Sequence, residues 1–203
     1  VFVSTPWVVI ISFIVLLTGL AAGLRAAIWS GAFLGYMGLL GFWEKAMTTL
    51  ALLGTAACLS IVIGIPLGMF CARRPRFYAV IRPIMDFMQT MPAFVFMIPV
   101  IAFFGTGKPA AVVTTMIFGG TPVVRLTVLG LRGVPDNVRE AALSYGASKW
   151  YLLTRVDLPL ASPSIRAGVN QTIMLSLAMV VVASLIGAKG LGEDVLEALQ
   201  YAN

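Results

Sequence analysis

Long apolar stretches dominate this chain and restrict its fold more than any other feature. A helix that crosses the hydrocarbon core of a bilayer needs about 20 mostly apolar residues, and six stretches approach that length. Only 11% of the 203 residues are charged, and the mean hydropathy is +0.98, whereas about 25% of residues are charged in soluble domains. We therefore predict an all-α, polytopic membrane protein. The predicted spans are residues 6–22, 26–43, 46–72, 84–104, 110–131 and 167–188.

The lysines and arginines orient these spans. If the loops after the first, third and fifth spans face the cytoplasm, eleven of the 14 basic residues lie on or near that side. Lys45, Lys108 and Lys189 are then the three on the outside. Because cytoplasmic loops carry an excess of Lys and Arg, we expect the amino-terminal end outside and segment 132–166 inside. The missing initiator Met and the polar last residues indicate a longer chain, and we expect a further membrane helix beyond Asn203.

The sequence shows no recognisable catalytic or metal-binding cluster. It contains no His, the usual metal ligand and proton carrier at neutral pH. Asp86 is the one acid inside a predicted span, and we interpret it as an edge residue that is paired, near Arg82, or that reaches the interface. The stretch GAKGLGED, residues 187–194, lacks the GK[ST] element of a phosphate loop. We interpret it as an outer turn and expect no ATP site in this chain.

Glycines at four-residue spacing indicate where helices approach each other closely. The pairs are Gly19 with Gly23, Gly31 with Gly35, and Gly64 with Gly68. Small residues let two membrane helices pack backbone to backbone. We therefore expect these glycines to have packing roles.

The fourth predicted span is interrupted by Pro92 and Pro99. Proline in a membrane helix leaves carbonyl oxygens without partners, which is tolerated where a neighbour or a cavity satisfies them. Methionine and phenylalanine adapt to irregular shapes. Two interpretations stay open, a kinked packing helix and the wall or gate of a translocation pathway. The second makes Met91, Phe94 and Met97, with Asn170 of the sixth span, candidate pathway residues.

A polar stretch separates the last two predicted spans. VPDNVREAALSYGAS predicts a short helix over residues 136–146, with Asp136 as the residue that caps its first turn and Gly146 as its left-handed closing residue. A second short helix is predicted over residues 150–156, started by Ser148 and ended by Leu158-Pro159. We expect its Trp150, Leu152 and Leu153 to lie against the membrane helices.

The first of these helices has a narrow face of small residues. Val138, Ala141, Ala142 and Tyr145 recur at positions i, i+3, i+4 and i+7, which places them on one side. Since this face is rich in alanine, the surface of a partner can approach the backbone closely. The stretch therefore indicates a docking element rather than a solvated connection.

The same residues resemble a known family. Glu140-Ala141-Ala142, then Gly146 four residues after the second Ala, then Leu158-Pro159, resemble the EAA…G…LP loop of binding-protein-dependent ABC importer permeases. The likeness extends over about residues 44–192, which are similar to permeases of glycine betaine, proline betaine and choline importers. Residues 1–43 are less distinctive and are interpreted as amino-terminal membrane helices, with residues 44–203 as the permease core.

The resemblance implies a type I ABC importer transmembrane domain in the bacterial inner membrane. It implies a second copy of the chain, two separate ATPase subunits that hold ATP and Mg²⁺, and an extracytoplasmic substrate-binding protein. It implies no cofactor in this chain, no enzymatic activity of its own and no nucleic-acid partner. The substrate is expected to be a quaternary amine or a related solute, such as glycine betaine, choline, proline betaine or trimethylamine N-oxide.

The resemblance also implies which residues meet the ATPase. Glu140 is expected to hold the loop through a polar or ionic bond to Arg139, to Lys149 or to a partner residue. The implied interface residues are Val138, Glu140, Ala141, Ala142, Tyr145, Gly146, Ala147, Leu158 and Pro159.

Two other classes of function remain as alternatives. An ion-coupled secondary transporter or channel is expected to show inverted repeats and polar sites near the middle of the membrane, and neither is evident in the sequence. A membrane-embedded enzyme requires a cluster of catalytic groups, which is also not evident.

Overall fold

The structure is a computed structural model that describes residues 7–201. Pro6, where the first predicted span begins, lies outside the described residues. Within residues 7–201 every regular element is helical, which confirms the all-α class. The elements are α1 (Trp7–Ala22), α2 (Leu24–Leu39), α3 (Trp43–Arg73), α4 (Pro75–Thr90), α5 (Ala93–Phe104), α6 (Lys108–Arg132), α7 (Asp136–Ser144), α8 (Lys149–Tyr151), a π-helical turn (Leu152–Asp157), α9 (Leu158–Ser184) and α10 (Leu191–Tyr201).

Helices α3, α6 and α9 form the core of the molecule, with α6 packed against both of the others. Small residues allow this close approach. A Cβ on Gly68 of α3 would stand 2.6 Å from the Cβ of Thr127 in α6, and one on Gly130 of α6 would stand 2.8 Å from the Cβ of Ser164 in α9. Gly64 of α3 meets α6 in the same way. The packing role predicted for Gly64 and Gly68 is confirmed.

Helices α1 and α2 form an antiparallel hairpin that turns at Gly23, whose φ is +87°. Gly19 faces Ala27, and Gly31 faces Val15, so one glycine of each of these two pairs lies at the helix contact. Each helix has 16 residues and is therefore about 24 Å long, less than the roughly 30 Å of a hydrocarbon core. The second predicted span, 26–43, is longer than the helix found there.

The prediction of six membrane spans is not confirmed. Among the described residues, three helices are long and apolar enough to cross a membrane alone: α3, α6, and the helix Lys149–Ser184 taken through its π-helical turn. A fourth span results if α4 and α5, which are bent by 103° relative to each other, count as one broken span. Helix α1 is apolar but short.

The fourth predicted span, 84–104, differs most from the structure. It is two helices, and α4 begins at Pro75, nine residues before the predicted start of the span at residue 84. The first N–H of a helix has no acceptor within the helix, so a proline is tolerated at that position and Pro75 can start α4. Pro92 has the opposite effect, because a proline disfavours helical geometry at the residue before it. Met91 is accordingly extended, with φ −81° and ψ 143°.

The sixth predicted span, 167–188, begins earlier than expected, because α9 runs from Leu158 to Ser184. Leu158-Pro159 does not end the preceding helix as predicted. Pro159 lies in the first turn of α9, and the π-helical turn before it already has a shifted hydrogen-bond register, in which the N–H of Leu158 donates to the carbonyl of Leu153. The chain is therefore helical from Lys149 through Ser184.

The two ends of the helical core carry different charges. At one end Arg132 donates to the carbonyl of Cys71 at 3.3 Å, close to Arg73 and Arg139. At the other end Lys45 of α3 forms an ion pair with Asp194 of α10. Residues 187–194 were predicted as an outer turn. In the structure the turn ends at residue 190, because α10 begins at Leu191.

Asp86 forms an ion pair, which was one of the two interpretations drawn from the sequence. Its main partner is Arg125 of α6, which donates to the Asp86 carboxylate. Arg82, the neighbour named from the sequence, lies farther away, with its Nε 3.9 Å from the second carboxylate oxygen. The pair ties α4 to α6 beside an apolar groove.

Candidate functional site

Helix α7 and the turn after it form the candidate site, at the arginine-rich end of the molecule. The helix begins directly after Pro135, which holds the capping position with an extended backbone (φ −61°, ψ 136°) and makes no side-chain cap. The prediction that Asp136 caps the helix is wrong: Asp136 is its first residue. A carboxylate there still interacts favourably with the helix dipole, and it lies 3.5 Å from Arg139.

Gly146 closes the carboxy-terminal end of α7, as predicted. Gly146 has a φ of +81°, the left-handed conformation that glycine adopts without steric cost. The N–H of Gly146 donates to the carbonyl of Leu143 at 2.9 Å, and the N–H of Ala147 donates to that of Ala142 at 3.1 Å. These two bonds define the Schellman motif, which satisfies the last carbonyls of a helix.

The surface of α7 is open. None of its residues is buried, and Tyr145, which follows it, is 94% exposed. Ala142 and Ala147 are half-buried, whereas Val138, Glu140, Ala141 and Gly146 are exposed. A surface hollow of about 570 Å³ lies where the helix ends. Its lining residues are Ala142, Tyr145, Gly146, Ala147, Ser148 and Tyr151.

The structure does not give Glu140 the partners that we considered within this chain. Among residues 7–201, neither Arg139 nor Lys149 lies within ion-pair distance of its carboxylate. The exposed carboxylate of Glu140 therefore remains available to a group outside the described chain.

The second short helix is only partly as predicted. Ser148 caps it, since its Oγ accepts a hydrogen bond from the N–H of Tyr151 at 3.2 Å. Leu153 is buried against the membrane helices, but Trp150 is 72% exposed and does not pack there. Leu158 is half-buried and Pro159 exposed, and both lie at the start of α9 rather than in a loop.

Arg139 and Asp157 form an ion pair that the sequence analysis missed. The Nε of Arg139 donates to Asp157 Oδ1 at 2.8 Å, and its Nη2 donates to the carbonyl of Leu131 at 2.6 Å. Asp157 is buried, at 8% exposure. A charged residue at the start of the apolar segment that leads into the last long helix was the available signal, because a buried charge requires a partner.

The four candidate pathway residues differ in their surroundings. Met91 lies at the break between α4 and α5, Phe94 is 54% exposed on α5, and Asn170 is exposed on α9. Met97 is buried in an apolar cluster with Val100 and with residues of α6 and the end of α9, which favours a packing role for it.

An apolar groove of about 240 Å³ lies between α3, α4 and α6, and none of the four candidates lines it. The lining residues include Ser60, Gly64, Met85, Met88, Gly120 and Thr121. The pathway residues chosen from the sequence stay a prediction.

Comparison with known proteins agrees with the family resemblance found in the sequence. The family described as "Binding-protein-dependent transport system inner membrane component" matches residues 64–203. The chain is 52% identical to the glycine betaine/proline betaine transport system permease protein ProW of Escherichia coli (strain K12) over 163 residues, which are 80% of this chain and 46% of that protein. It is 38% identical to the trimethylamine N-oxide transport system permease protein TmoV of Pelagibacter ubique (strain HTCC1062) over 198 residues, which are 98% of this chain and 28% of that protein.

A solved structure of the MetNI methionine ABC transporter in an inward-facing conformation is similar in fold. The TM-score is 0.68 at 22% identity, over 75% of this chain and 77% of that one. At this identity the likeness shows the fold alone. The chain spans about half the length of ProW and less of TmoV.

Proposed function

The chain belongs to the family of binding-protein-dependent transport system inner membrane components, and we propose that it is the membrane-spanning permease subunit of an ATP-driven importer. In this role it forms the translocation pathway together with a second copy of itself. Two separate ATPase subunits bind and hydrolyse ATP with Mg²⁺, and an extracytoplasmic binding protein delivers the substrate.

Helix α7 is the observation that carries this proposal. It has no buried residue, yet it is closed by a Schellman motif and fixed to α6 and to the π-helical turn by Arg139. A helix that is ordered, exposed and attached to the membrane helices is suited to receive a force from a soluble partner. On its exposed side, Glu140 and Ala141 present a free carboxylate and a small side chain to that partner.

The proposed orientation follows the charges. The end with Arg73, Arg132 and Arg139 faces the cytoplasm, because cytoplasmic ends of membrane helices are enriched in Lys and Arg. The end with Lys45 and α10 then faces the binding protein. The protein is placed in the cytoplasmic membrane of a bacterium, where the ATPase and the binding protein lie on opposite sides of it.

The proposed substrate is a small solute with a methylated amine. The name of ProW includes glycine betaine and proline betaine, and the name of TmoV includes trimethylamine N-oxide. Quaternary ammonium groups are bound by aromatic cages through cation–π attraction, and we assign that recognition to the binding protein. Calorimetric titration of the binding protein with glycine betaine, choline, carnitine, proline betaine and trimethylamine N-oxide would identify the solute.

Reconstituted transport tests the proposal. The full-length protein is purified with its ATPase subunit and placed in proteoliposomes, with ATP inside and the binding protein and labelled glycine betaine outside. We expect uptake that requires ATP and the binding protein and that survives a protonophore. Uptake that needs no ATP and collapses with the protonophore would instead establish the ion-coupled alternative.

A further inference from the structure

We propose that Arg139 and Asp157 form a polar joint through which movement of α7 reaches α6 and α9 together. This inference rests on the proposed function, because it concerns how a docked ATPase moves the membrane helices. It makes Arg139 and Asp157 positioning residues, which act through the helices that they connect.

Helix α7 has little apolar attachment to the rest of the molecule. Of its nine residues, only Arg139 and Ala142 are half-buried and the others are exposed. Residues three apart lie on the same side of a helix, so these two form the side that faces the membrane helices. The alanine contributes one methyl group. The guanidinium of Arg139 is therefore the main side-chain connection between α7 and the core.

One guanidinium connects three elements. Its Nη2 bonds the carbonyl of Leu131 at 2.6 Å, and Leu131 lies in the last turn of α6, where carbonyls have no partner within the helix. Its Nε bonds Asp157 Oδ1 at 2.8 Å, and the Asp157 side chain is only 12% exposed. Charge-assisted bonds of this length are about twice as strong as neutral ones, and shielding from water strengthens them further.

Asp157 transmits this contact to α9. It ends the π-helical turn and directly precedes Leu158, the first residue of α9, with no loop between them. π-Helical turns are rare and occur often at functional sites. Here the turn places an acid on the side of the helix that faces α7.

Helices α6 and α9 are packed too closely to move separately at this end. A Cβ on Gly130 would stand 3.0 Å from the carbonyl oxygen of Ala161, and one on Gly168 would stand 3.1 Å from the Cα of Val123. Because packed interiors transmit displacement rather than absorb it, a shift of Arg139 moves both helices as one unit. The joint thus converts motion of an exposed helix into motion of the core.

The test compares the number of solute molecules imported per ATP hydrolysed in the full-length complex with its ATPase. The variants are Arg139→Gln, Arg139→Lys, Asp157→Asn and the double variant Arg139→Gln with Asp157→Asn. Arg166→Gln is the matched control, since Arg166 is an exposed arginine of α9 whose Nε bonds the carbonyl of Ser162 in its own helix at 3.4 Å.

We expect the ratio to fall roughly 5- to 150-fold in Arg139→Gln and Asp157→Asn, the range of typical coupling between two sites. Arg139→Lys retains the charge but not the fork that reaches two acceptors, so its ratio should be intermediate. The double variant should be no worse than the worse single variant, because each removes the same connection. Arg166→Gln should match the wild type.

A purely structural role would give a different pattern. Uptake, hydrolysis and the amount of assembled complex would then fall in parallel and leave the ratio unchanged, and this would overturn the inference. Independent, additive losses in the double variant would also overturn it. If the wild-type complex itself showed no ATP-driven uptake, the proposed function would fail, whereas normal wild-type uptake with normal ratios in all variants would refute the joint alone.

Discussion

Gly68 of α3 lies directly against Thr127 of α6, so closely that a Cβ on the glycine would stand 2.6 Å from the Cβ and 2.8 Å from the Cγ2 of Thr127. Thr127 is fully buried, so it has no free space to move into. We therefore expect Gly68→Ala to force the two helices apart and to destabilise the protein by about 1–3 kcal/mol, the usual cost of overpacking a core.

Gly54 of the same helix is the matched control. Nothing lies within 4 Å of a Cβ placed on it, so Gly54→Ala should not lower stability and has a helix propensity that is better by about 1 kcal/mol. The midpoint of thermal unfolding of the detergent-solubilised protein measures both variants. Equal midpoints for the two would contradict the close packing of α3 and α6.

The ion pair between Asp86 and Arg125 gives a second prediction. Asp86→Ala leaves the guanidinium of Arg125, whose side chain is 34% exposed, without its carboxylate. Losing one partner of a fully buried pair costs about 3–5 kcal/mol, and because this pair is partly exposed we expect about 1–3 kcal/mol. Adding Arg125→Met should recover part of the loss in thermal stability. A double variant less stable than Asp86→Ala would show that the two side chains do not act as a pair.

The left-handed turn at Gly146 that closes α7 gives a third prediction. An ordinary side chain in this conformation costs about 1–2 kcal/mol, while asparagine tolerates it better. ATP-driven uptake should therefore decline in the order Gly146, Gly146→Asn, Gly146→Ala, Gly146→Val, with equal amounts of protein in the membrane. Hydrogen exchange at Ala147 should accelerate in the same order, because its bond to the carbonyl of Ala142 weakens. Uptake that is indifferent to the substitution would refute a role for this turn.

The long core helices could be predicted from the sequence because hydropathy alone determines them. Residues 46–72 and 110–131 lie within α3 and α6, and the spacing of Gly64 and Gly68 indicated a close helix contact without naming the partner helix. Prolines limited the prediction elsewhere. Pro75, Pro92 and Pro159 have the same local chemistry, yet one starts a helix, one separates two helices and one lies in the first turn of a helix that continues from a π-helical turn. Only the surrounding hydrogen-bond register distinguishes these outcomes.

The candidate site was predictable as a local helix but not in its attachment. The turn at Gly146 could be predicted because it depends on the local backbone preference of a glycine. The contacts of Arg139 with Asp157 and Leu131 join residues 18 and 8 positions away, and Asp157 lies in a π-helical turn that no periodicity indicates. Asp136 was misplaced by one position because Pro135 can hold the same capping position with its backbone.

Site-directed cross-linking tests the central claim, that the surface of α7 docks an ATPase. In a background of Cys58→Ser and Cys71→Ala, Tyr145→Cys places a thiol on the exposed face after α7, and Val195→Cys places one on α10 at the opposite end of the molecule, where the side chain is 45% exposed. With a short reagent that couples to the introduced thiol at one end and carries a photoactivatable group at the other, we predict a covalent product of permease and ATPase in the native complex for Tyr145→Cys and none for Val195→Cys. A product from Val195→Cys, or none from Tyr145→Cys, would contradict the account.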